Sequence, residues 1–101
     1  MNDYYVYILK CSDGSFYVGI TNDLERRVGE HQYGWNPACY THERRPVRLV
    51  YSERFSEVDA AIAWEKRIKG WSRKKKIALI MGDFEKIHEV DREQHGRSVS
   101  S

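Results

Sequence analysis

The sequence predicts a small α+β domain in which helices flank a three-stranded antiparallel sheet, in the element order ββαβαα. Two segments near the start, 4–10 and 16–20, have the β-branched and aromatic content of strands, and the Ser-Asp-Gly-Ser turn between them is typical of a hairpin. A third such segment, 47–51, follows Pro46. With 101 residues, the chain has the length of one domain.

Capping residues and glycines delimit three predicted helices. Each begins at residues that favour a helix N-terminus and ends at or near a glycine. The helices are predicted over about 23–32, 56–69 and 72–81. Between the first helix and the third strand, segment 34–45 holds Gly34, Asn36 and Pro37 and is predicted to be a loop.

The periodic pattern ends at residue 82, so residues 1–82 form the predicted domain. Residues 83–101 are predicted to be a weakly structured acidic segment with a disordered C-terminal tail. No apolar run approaches the roughly 20 residues that span a membrane, and the start of the chain lacks the features of a signal peptide. The two cysteines, Cys11 and Cys39, form no Cys-x-x-Cys pair, so we expect a cytoplasmic protein without disulfides or a membrane partner.

Positive charge is concentrated in one segment, although the net charge is only +2. That segment carries Lys66, Arg67, Lys69, Arg73, Lys74, Lys75 and Lys76, with no acidic residue among them. Such a cluster on a nearly neutral chain indicates a surface that binds a polyanion, and the alternative is a solvated helix face.

Two polar residues share the apolar face of the first predicted helix. Leu24, Arg27, Val28 and His31 have the spacing i, i+3, i+4 and i+7, which places them on one side of a helix. Since Leu24 and Val28 must face the sheet, Arg27 and His31 point the same way. A core-facing cation without a partner is costly. The alternatives are an arginine that extends along the edge of the sheet and a hydrogen-bonded edge histidine.

Glu65 interrupts the apolar stripe of the second predicted helix, between Ile62 and Ile68. Carboxylates are seldom fully buried unless they are paired or bound to a metal. One interpretation is a salt bridge to Arg27 or to a nearby lysine. The other is a metal ligand, for which Mg²⁺ is suited because it keeps much of its water and needs few protein carboxylates.

Two tyrosine-containing triplets, Tyr5-Val6-Tyr7 and Tyr17-Val18-Gly19, lie on the two strands of the predicted hairpin. A single strand tyrosine is more typical of a core or surface position than of a catalytic one. The hairpin, however, would bring Tyr7 and Tyr17 close together on one face. We expect Gly19 to let a substrate backbone approach closely, since a side chain there would intrude.

These residues stand in the order of one known family. The two triplets are followed by Arg27, His31 and Glu65, and on these motifs the chain resembles the GIY-YIG nuclease superfamily over about residues 4–80. Segment 65–76 is similar to a small stand-alone bacterial branch, related to the N-terminal nuclease domain of UvrC. Thr41 also fits that branch. Several family nucleases carry an asparagine after the glutamate, and this chain has none there.

The resemblance implies metal-dependent hydrolysis of nucleic-acid phosphodiester bonds, with DNA as the expected substrate. Glu65 would hold one divalent metal, Mg²⁺ or Mn²⁺, and Arg27 would bind a nonbridging phosphate oxygen. Tyr7 would orient or deprotonate the attacking water, with Tyr17 as its partner and His31 as a further acid/base group or phosphate contact. A phenol with a pKa of about 10 is a poor base unless nearby cations lower that pKa.

The expected partner is nucleic acid, and a protein partner is also expected to supply specificity, since we expect a domain this small to lack an appended binding domain. The residues expected to hold the phosphate backbone and stack on bases are Lys66, Lys69, Trp71, Arg73, Lys74 and Lys75.

Three other classes remain open from the residues alone. The first is a nucleic-acid-binding module of the same fold with little or no cleavage. The second is a structural zinc site formed by Cys11, His31, Cys39 and His42, whose spacing matches no standard pattern. The third, a protein-interaction domain, explains the basic cluster but leaves the tyrosine, arginine and glutamate set without a reason.

Overall fold

The computed structural model describes residues 3–82 and confirms the α+β class and the order ββαβαα. The elements are β1 (Tyr4–Lys10), β2 (Phe16–Thr21), α1 (Leu24–Tyr33), β3 (Arg48–Phe55), α2 (Val58–Lys69) and α3 (Arg73–Ile80), with a short 3₁₀ helix (His42–Arg44) before β3. The segment predicted to be a weakly structured tail, 83–101, lies outside the described residues.

The sheet is antiparallel, with β1 between β2 and β3. Across the hairpin, Tyr7 lies opposite Gly19 and Leu9 lies opposite Tyr17. Since directly opposite residues of an antiparallel pair point to the same face, these residues share one face of the sheet. On the other side of β1, Ile8 lies opposite Tyr51, and this pair shares the second face.

The two faces are covered by different helices. Leu24 and Val28 of α1 pack against the buried cluster that contains Tyr7 and Leu9. On the second face, Nε1 of Trp64 in α2 donates a hydrogen bond of 3.1 Å to the hydroxyl of Tyr51. We infer from this bond and the strand register that α1 and α2 lie on opposite faces of the sheet.

The third strand is longer than its apolar pattern predicts. Segment 47–51 was the expected strand, and β3 extends to Phe55. β3 pairs with the whole of β1, from Tyr4 opposite Phe55 to Lys10 opposite Arg48, with an irregularity next to Ile8. Backbone hydrogen bonds to the central strand therefore extend β3 into a stretch without an alternating pattern.

The helix boundaries depend on local hydrogen bonds. Asp23 caps α1, since its side chain accepts from the backbone N–H of Arg26, and Gly34 ends the helix in the left-handed region with φ of 70°. The second helix was predicted from about residue 56, and the observed helix starts two residues later. That helix begins at Val58, and the backbone oxygen of Glu57 accepts from a residue one turn later.

The described chain divides into two compact units, and the boundary along the chain falls between Lys69 and Gly70. The first contains the sheet, α1 and α2. The second contains α3, which is capped as predicted by the Ser72 side chain. Within residues 3–82, no helix is both long enough and apolar enough to cross a membrane.

Candidate active site

Tyr7 and Tyr17 lie side by side on the α1 face, because Tyr17 pairs with Leu9, two residues along β1 from Tyr7. Their ring centroids are 6.3 Å apart. Tyr7 is 1% exposed, whereas Tyr17 is half-buried. The two phenols therefore differ in access, and of the pair it is Tyr17 that an external molecule can reach.

Gly19 makes room for Tyr7, and the expectation that it admits a substrate backbone is wrong. A Cβ atom built on Gly19 would stand 2.5 Å from Cζ of Tyr7 and closer still to the hydroxyl oxygen. Since Tyr7 is buried, its ring cannot swing away to relieve this contact. The absence of a side chain at Gly19 thus leaves the space that the Tyr7 ring occupies.

We expect Gly19→Ala to lower the free energy of unfolding by about 1–3 kcal/mol, the range typical of overpacked interiors. Gly29→Ala is the matched control, because a Cβ there meets nothing within 4 Å in the α1 helix. The control should be neutral or stabilising by up to about 1 kcal/mol. Urea unfolding of both variants measures the difference, and equal stability of the two would contradict this account of Gly19.

His31 is buried and hydrogen-bonded through both ring nitrogens. Its Nε2 lies 2.9 Å from the hydroxyl of Tyr7, and its Nδ1 lies 2.8 Å from Oγ1 of Thr41. Sγ of Cys39 lies 3.5 Å from Nδ1 as well. Burial, together with the positive charge of Arg27, lowers the pKa of His31 and favours the neutral ring. In this arrangement His31 can contact a phosphate only by giving up one of these bonds.

The phenol of Tyr7 keeps its proton. Burial raises the pKa of Tyr7 well above its ordinary value, and the neighbouring Tyr17 raises it further. The guanidinium of Arg27 acts in the opposite direction with a smaller effect. Tyr7 would act as a base only if nearby cations lowered this pKa enough. The desolvation of the buried ring outweighs them.

Arg27 stands at the edge of this cluster with its side chain 39% exposed. Its Nη1 donates a 3.0 Å hydrogen bond to Oε1 of Glu30. That bond raises the pKa of Arg27, and burial opposes it. Arg27 is therefore charged, partly exposed to solvent, and near enough to Tyr7 for each side chain to shift the pKa of the other.

Glu65 is not the partner of Arg27. It lies on α2, its side chain is 13% exposed, and its Oε2 lies 2.8 Å from Nζ of Lys69. Within residues 3–82, Glu65 forms no hydrogen bond or ion pair with Tyr7, Tyr17 or Arg27. α2, which carries Glu65, covers the other face of the sheet from Tyr7 and Tyr17, so the position of this helix does not by itself bring Glu65 to the α1 face.

The chemistry of a divalent metal nevertheless fits Glu65. A carboxylate is the oxygen ligand that Mg²⁺ and Mn²⁺ prefer, and a single one is sufficient when water completes the coordination. The ion pair with Lys69 leaves Oε1 outside it. Lys69 is itself 55% exposed and could turn away into solvent.

The zinc alternative has no support in the described part of the chain. Among residues 3–82, no three His, Cys, Asp or Glu side chains are grouped to hold a metal ion. His31 and Cys39 are neighbours, but Nδ1 of His31 is also bonded to Thr41. The proposed set of Cys11, His31, Cys39 and His42 therefore does not come together.

The loop between α1 and β3 supplies residues that helix and strand patterns could not identify. The ring of Tyr40 stacks on Tyr17 with centroids 6.2 Å apart, and the guanidinium carbon of Arg44 lies 3.9 Å from the centroid of Tyr40. Thr41 completes the hydrogen bonding of His31. The sequence pointed to Thr41 only through the family resemblance, because a loop has no periodicity from which its contacts can be read.

The basic residues are placed differently from one another. Lys66 and Lys69 are exposed on α2, and Arg73 and Lys74 are exposed in the second unit. Lys75, which was also expected to hold the phosphate backbone, is buried, with 7% of its surface exposed.

Lys75 instead faces Trp71. Its Nζ lies 4.0 Å from the centroid of the Trp71 ring, a cation–π contact within the second unit. The Trp71 indole is half-buried, and the Lys75 ammonium covers part of its ring.

Comparison with known proteins places this geometry in a family. Residues 3–78 match the profile of the GIY-YIG catalytic domain. A UPF0213 protein of Staphylococcus saprophyticus is 48% identical over 80 residues, which are 79% of this chain and 96% of the relative. A UPF0213 protein of Haloquadratum walsbyi is 53% identical over 80 residues, which are 78% of this chain and 89% of the relative.

Two solved structures are similar in fold and sequence. The solution NMR structure of a UPF0213 protein from Bacillus halodurans has a TM-score of 0.52 at 44% identity, with 78% of this chain and 83% of that chain covered. The NMR structure of a protein from E. faecalis has a TM-score of 0.58 at 38% identity, with 81% and 86% covered. The chain therefore belongs to the GIY-YIG family, among the small proteins of the UPF0213 group.

Proposed function

We propose that this protein is a metal-dependent endonuclease that hydrolyses phosphodiester bonds of DNA. The observation that carries the proposal is the cluster on the α1 face. There an accessible phenol and an accessible guanidinium, Tyr17 and Arg27, stand beside the buried pair of Tyr7 and His31. This arrangement occurs in a chain that matches the GIY-YIG catalytic domain over residues 3–78.

Arg27 is proposed to bind a nonbridging phosphate oxygen. Its guanidinium is charged, and its exposed side is open to a phosphate group from solvent. Hydrogen bonds between a guanidinium and a phosphate are charge-assisted and can be bidentate, so they both orient the group and offset charge that grows in the transition state. The bond to Glu30 holds the side chain in place while the outer N–H groups remain available.

Tyr17, and not Tyr7, is proposed to contact the attacking water. The Tyr17 ring is half-buried and packs 4.8 Å from the His31 ring, centroid to centroid. Tyr7 is closed to solvent and its hydroxyl is bonded to His31. We assign Tyr7 and His31 to the support of Tyr17 and Arg27, because neither can reach a substrate without rearrangement.

Glu65 is proposed to hold one divalent metal, Mg²⁺ or Mn²⁺, once Lys69 turns away. When bound, such an ion stabilises the leaving oxygen and polarises the phosphate. Glu65 must then act at the edge strand β2, because α2 and Tyr17 lie on different faces of the sheet. Contacts of α2 with β2 are consistent with that position.

The exposed lysines and arginine are proposed to contact the phosphate backbone. Lys66 and Lys69 would do so from α2, and Arg73 and Lys74 from the second unit. Each phosphate that a cation neutralises releases counterions, so binding should weaken as salt rises. Trp71 and Lys75 are not part of this proposal, because they contact each other.

A nucleic-acid-binding module with little or no cleavage is the second candidate. Two observations favour it: the carboxylate of Glu65 is already paired with Lys69, and α2 does not lie on the face of Tyr17. The missing asparagine after Glu65 points the same way.

The test is an assay of the whole protein on single-stranded, duplex and branched DNA and on matched RNA. We expect cleavage of DNA with Mg²⁺ or Mn²⁺ that chelation abolishes, and binding that falls steeply between low and high salt. Salt-sensitive binding without cleavage under any of these conditions would favour the binding module. Equal cleavage with and without a chelator would contradict metal dependence.

A further inference from the structure

A buried line of hydrogen bonds runs from Thr41 through His31 to Tyr7. The exposed fractions of these residues are 1%, 4% and 1%. The distances along the line, 2.8 Å and 2.9 Å, are those of well-formed hydrogen bonds. Within residues 3–82 no buried side-chain nitrogen or oxygen lacks a partner, so every polar atom of this line is hydrogen-bonded and the open question is which atom donates in each bond.

The direction of the line follows from the chemistry at its Tyr7 end. The hydroxyl of Tyr7 has one proton to donate and lies 2.9 Å from Nε2 of His31, and the guanidinium of Arg27 is near enough to lower the pKa of Tyr7. A guanidinium has N–H donors and no acceptor. The Tyr7 proton must therefore point to Nε2, and the lone pairs of the phenol oxygen are left to face Arg27.

The tautomer of His31 follows in turn. The ring is neutral, since burial disfavours its charged form, and Nε2 is occupied as an acceptor. The ring proton must then lie on Nδ1, which donates to Oγ1 of Thr41. Sγ of Cys39, 3.5 Å from both Nδ1 and Oγ1, is a weaker acceptor at longer range.

We infer that Thr41 is a positioning residue, whose hydroxyl oxygen fixes the Nδ1–H tautomer of His31 and thereby turns the lone pairs of Tyr7 towards Arg27. The consequence for catalysis rests on the proposed function, in which Arg27 binds the phosphate. Thr41 itself touches no substrate. It acts through two intermediaries, and it comes from the loop that joins α1 to β3.

The opposite tautomer shows why this matters. If Nε2 carried the proton, it would donate to the oxygen of Tyr7, and the Tyr7 proton would have to turn towards Arg27. A hydroxyl proton facing a cation is repelled, and the guanidinium would move out of its present place. Displacement of a substrate-binding group by about 1 Å can cost up to about 100-fold in rate.

The experiment reads the tautomer directly, by two-bond ¹H–¹⁵N NMR of the full chain at neutral pH. His31 is assigned by the loss of its signals in His31→Gln, since the chain contains 4 histidines. We expect Nδ1 to be the protonated nitrogen in the wild type and in Thr41→Ser. Thr41→Val, of nearly equal size, should shift the population towards Nε2–H and lower DNA cleavage about tenfold or more, while Thr41→Ser restores most of the rate.

Protonation at Nε2 in the wild type would overturn the inference, even if Thr41→Val failed to fold. A slower Thr41→Val with an unchanged tautomer would also overturn it, because the role of Thr41 would then be structural only. The NMR result does not depend on activity. A wild type that does not cleave would therefore refute the proposed function. The NMR spectrum would still decide whether Thr41 fixes the tautomer of His31.

Discussion

Glu65→Gln is expected to abolish metal-dependent cleavage and to leave the fold and nucleic-acid affinity nearly intact. The substitution keeps the size of the side chain and removes the negative charge that a hard divalent cation requires. Affinity for DNA should stay the same or rise, because a carboxylate near phosphate repels it. Cleavage, binding and melting temperature are measured on the same preparation.

The expected effect on stability is small, for a reason that the structure supplies. The partner of Glu65 is Lys69, which is 55% exposed and one helical turn away. Pairs of this kind contribute about 0–1 kcal/mol, so the melting temperature should change little. A buried pair with Arg27, which the sequence left open, would have predicted a larger loss.

Glu57→Gln is the matched control, since Glu57 is exposed at the start of the same helix and carries the same charge. It should cleave like the wild type. If Glu65→Gln retained cleavage, the metal assignment would be wrong. If the wild type itself never cleaved with Mg²⁺ or Mn²⁺, the binding module would be the better description.

Arg27→Ala is expected to lower kcat/KM by about 100- to 1,000-fold, the range found when one donor to a developing negative charge is removed. Arg27 is the charged group of the α1 cluster that has both an exposed side and a neighbour in the buried line. Its loss should act mainly on kcat, because the growing charge of the transition state is what the guanidinium offsets. Steady-state kinetics on the substrate found in the panel assay gives the value.

Arg26→Ala provides a control with the same change of charge on the adjacent residue. Arg26 is 64% exposed, and its Nε lies 3.9 Å from carboxylate oxygens of Asp23 and Glu30. We expect it to cause at most a small loss of affinity. Equal losses of rate in the two variants would mean that positive charge on this helix matters, and not the specific contact of Arg27 with phosphate.

The chain sequence was sufficient for the fold because its local signals agree with one another. The hairpin has strand residues on both sides of a turn, Asp23 and Ser72 cap the helices predicted over about 23–32 and 72–81, and Gly34 ends α1 where a positive φ is needed. The end of β3 could not be read, because its last residues are held by pairing with β1 and not by an apolar pattern.

Part of the candidate site also follows from periodicity. Two-residue alternation on antiparallel strands places Tyr7 and Tyr17 on one face, and the 3.6-residue period places Arg27 and His31 on the face of α1 that packs there. In each case the sequence predicts which face of its own strand or helix a side chain occupies, and the local backbone geometry determines that face.

The tertiary structure alone decided which of these groups a substrate can reach and which partners they have. Tyr7 is buried against Gly19 and hydrogen-bonded to His31, whereas Tyr17 is only half-buried. No periodic pattern distinguishes the two tyrosines. Thr41 reaches His31 from a loop, and Glu65 lies on the helix of the opposite face. Sequence patterns determine the direction of a side chain on its own element. Burial, hydrogen bonding and the pKa values that follow from them depend on how separate elements pack, and this is settled only when the chain is folded.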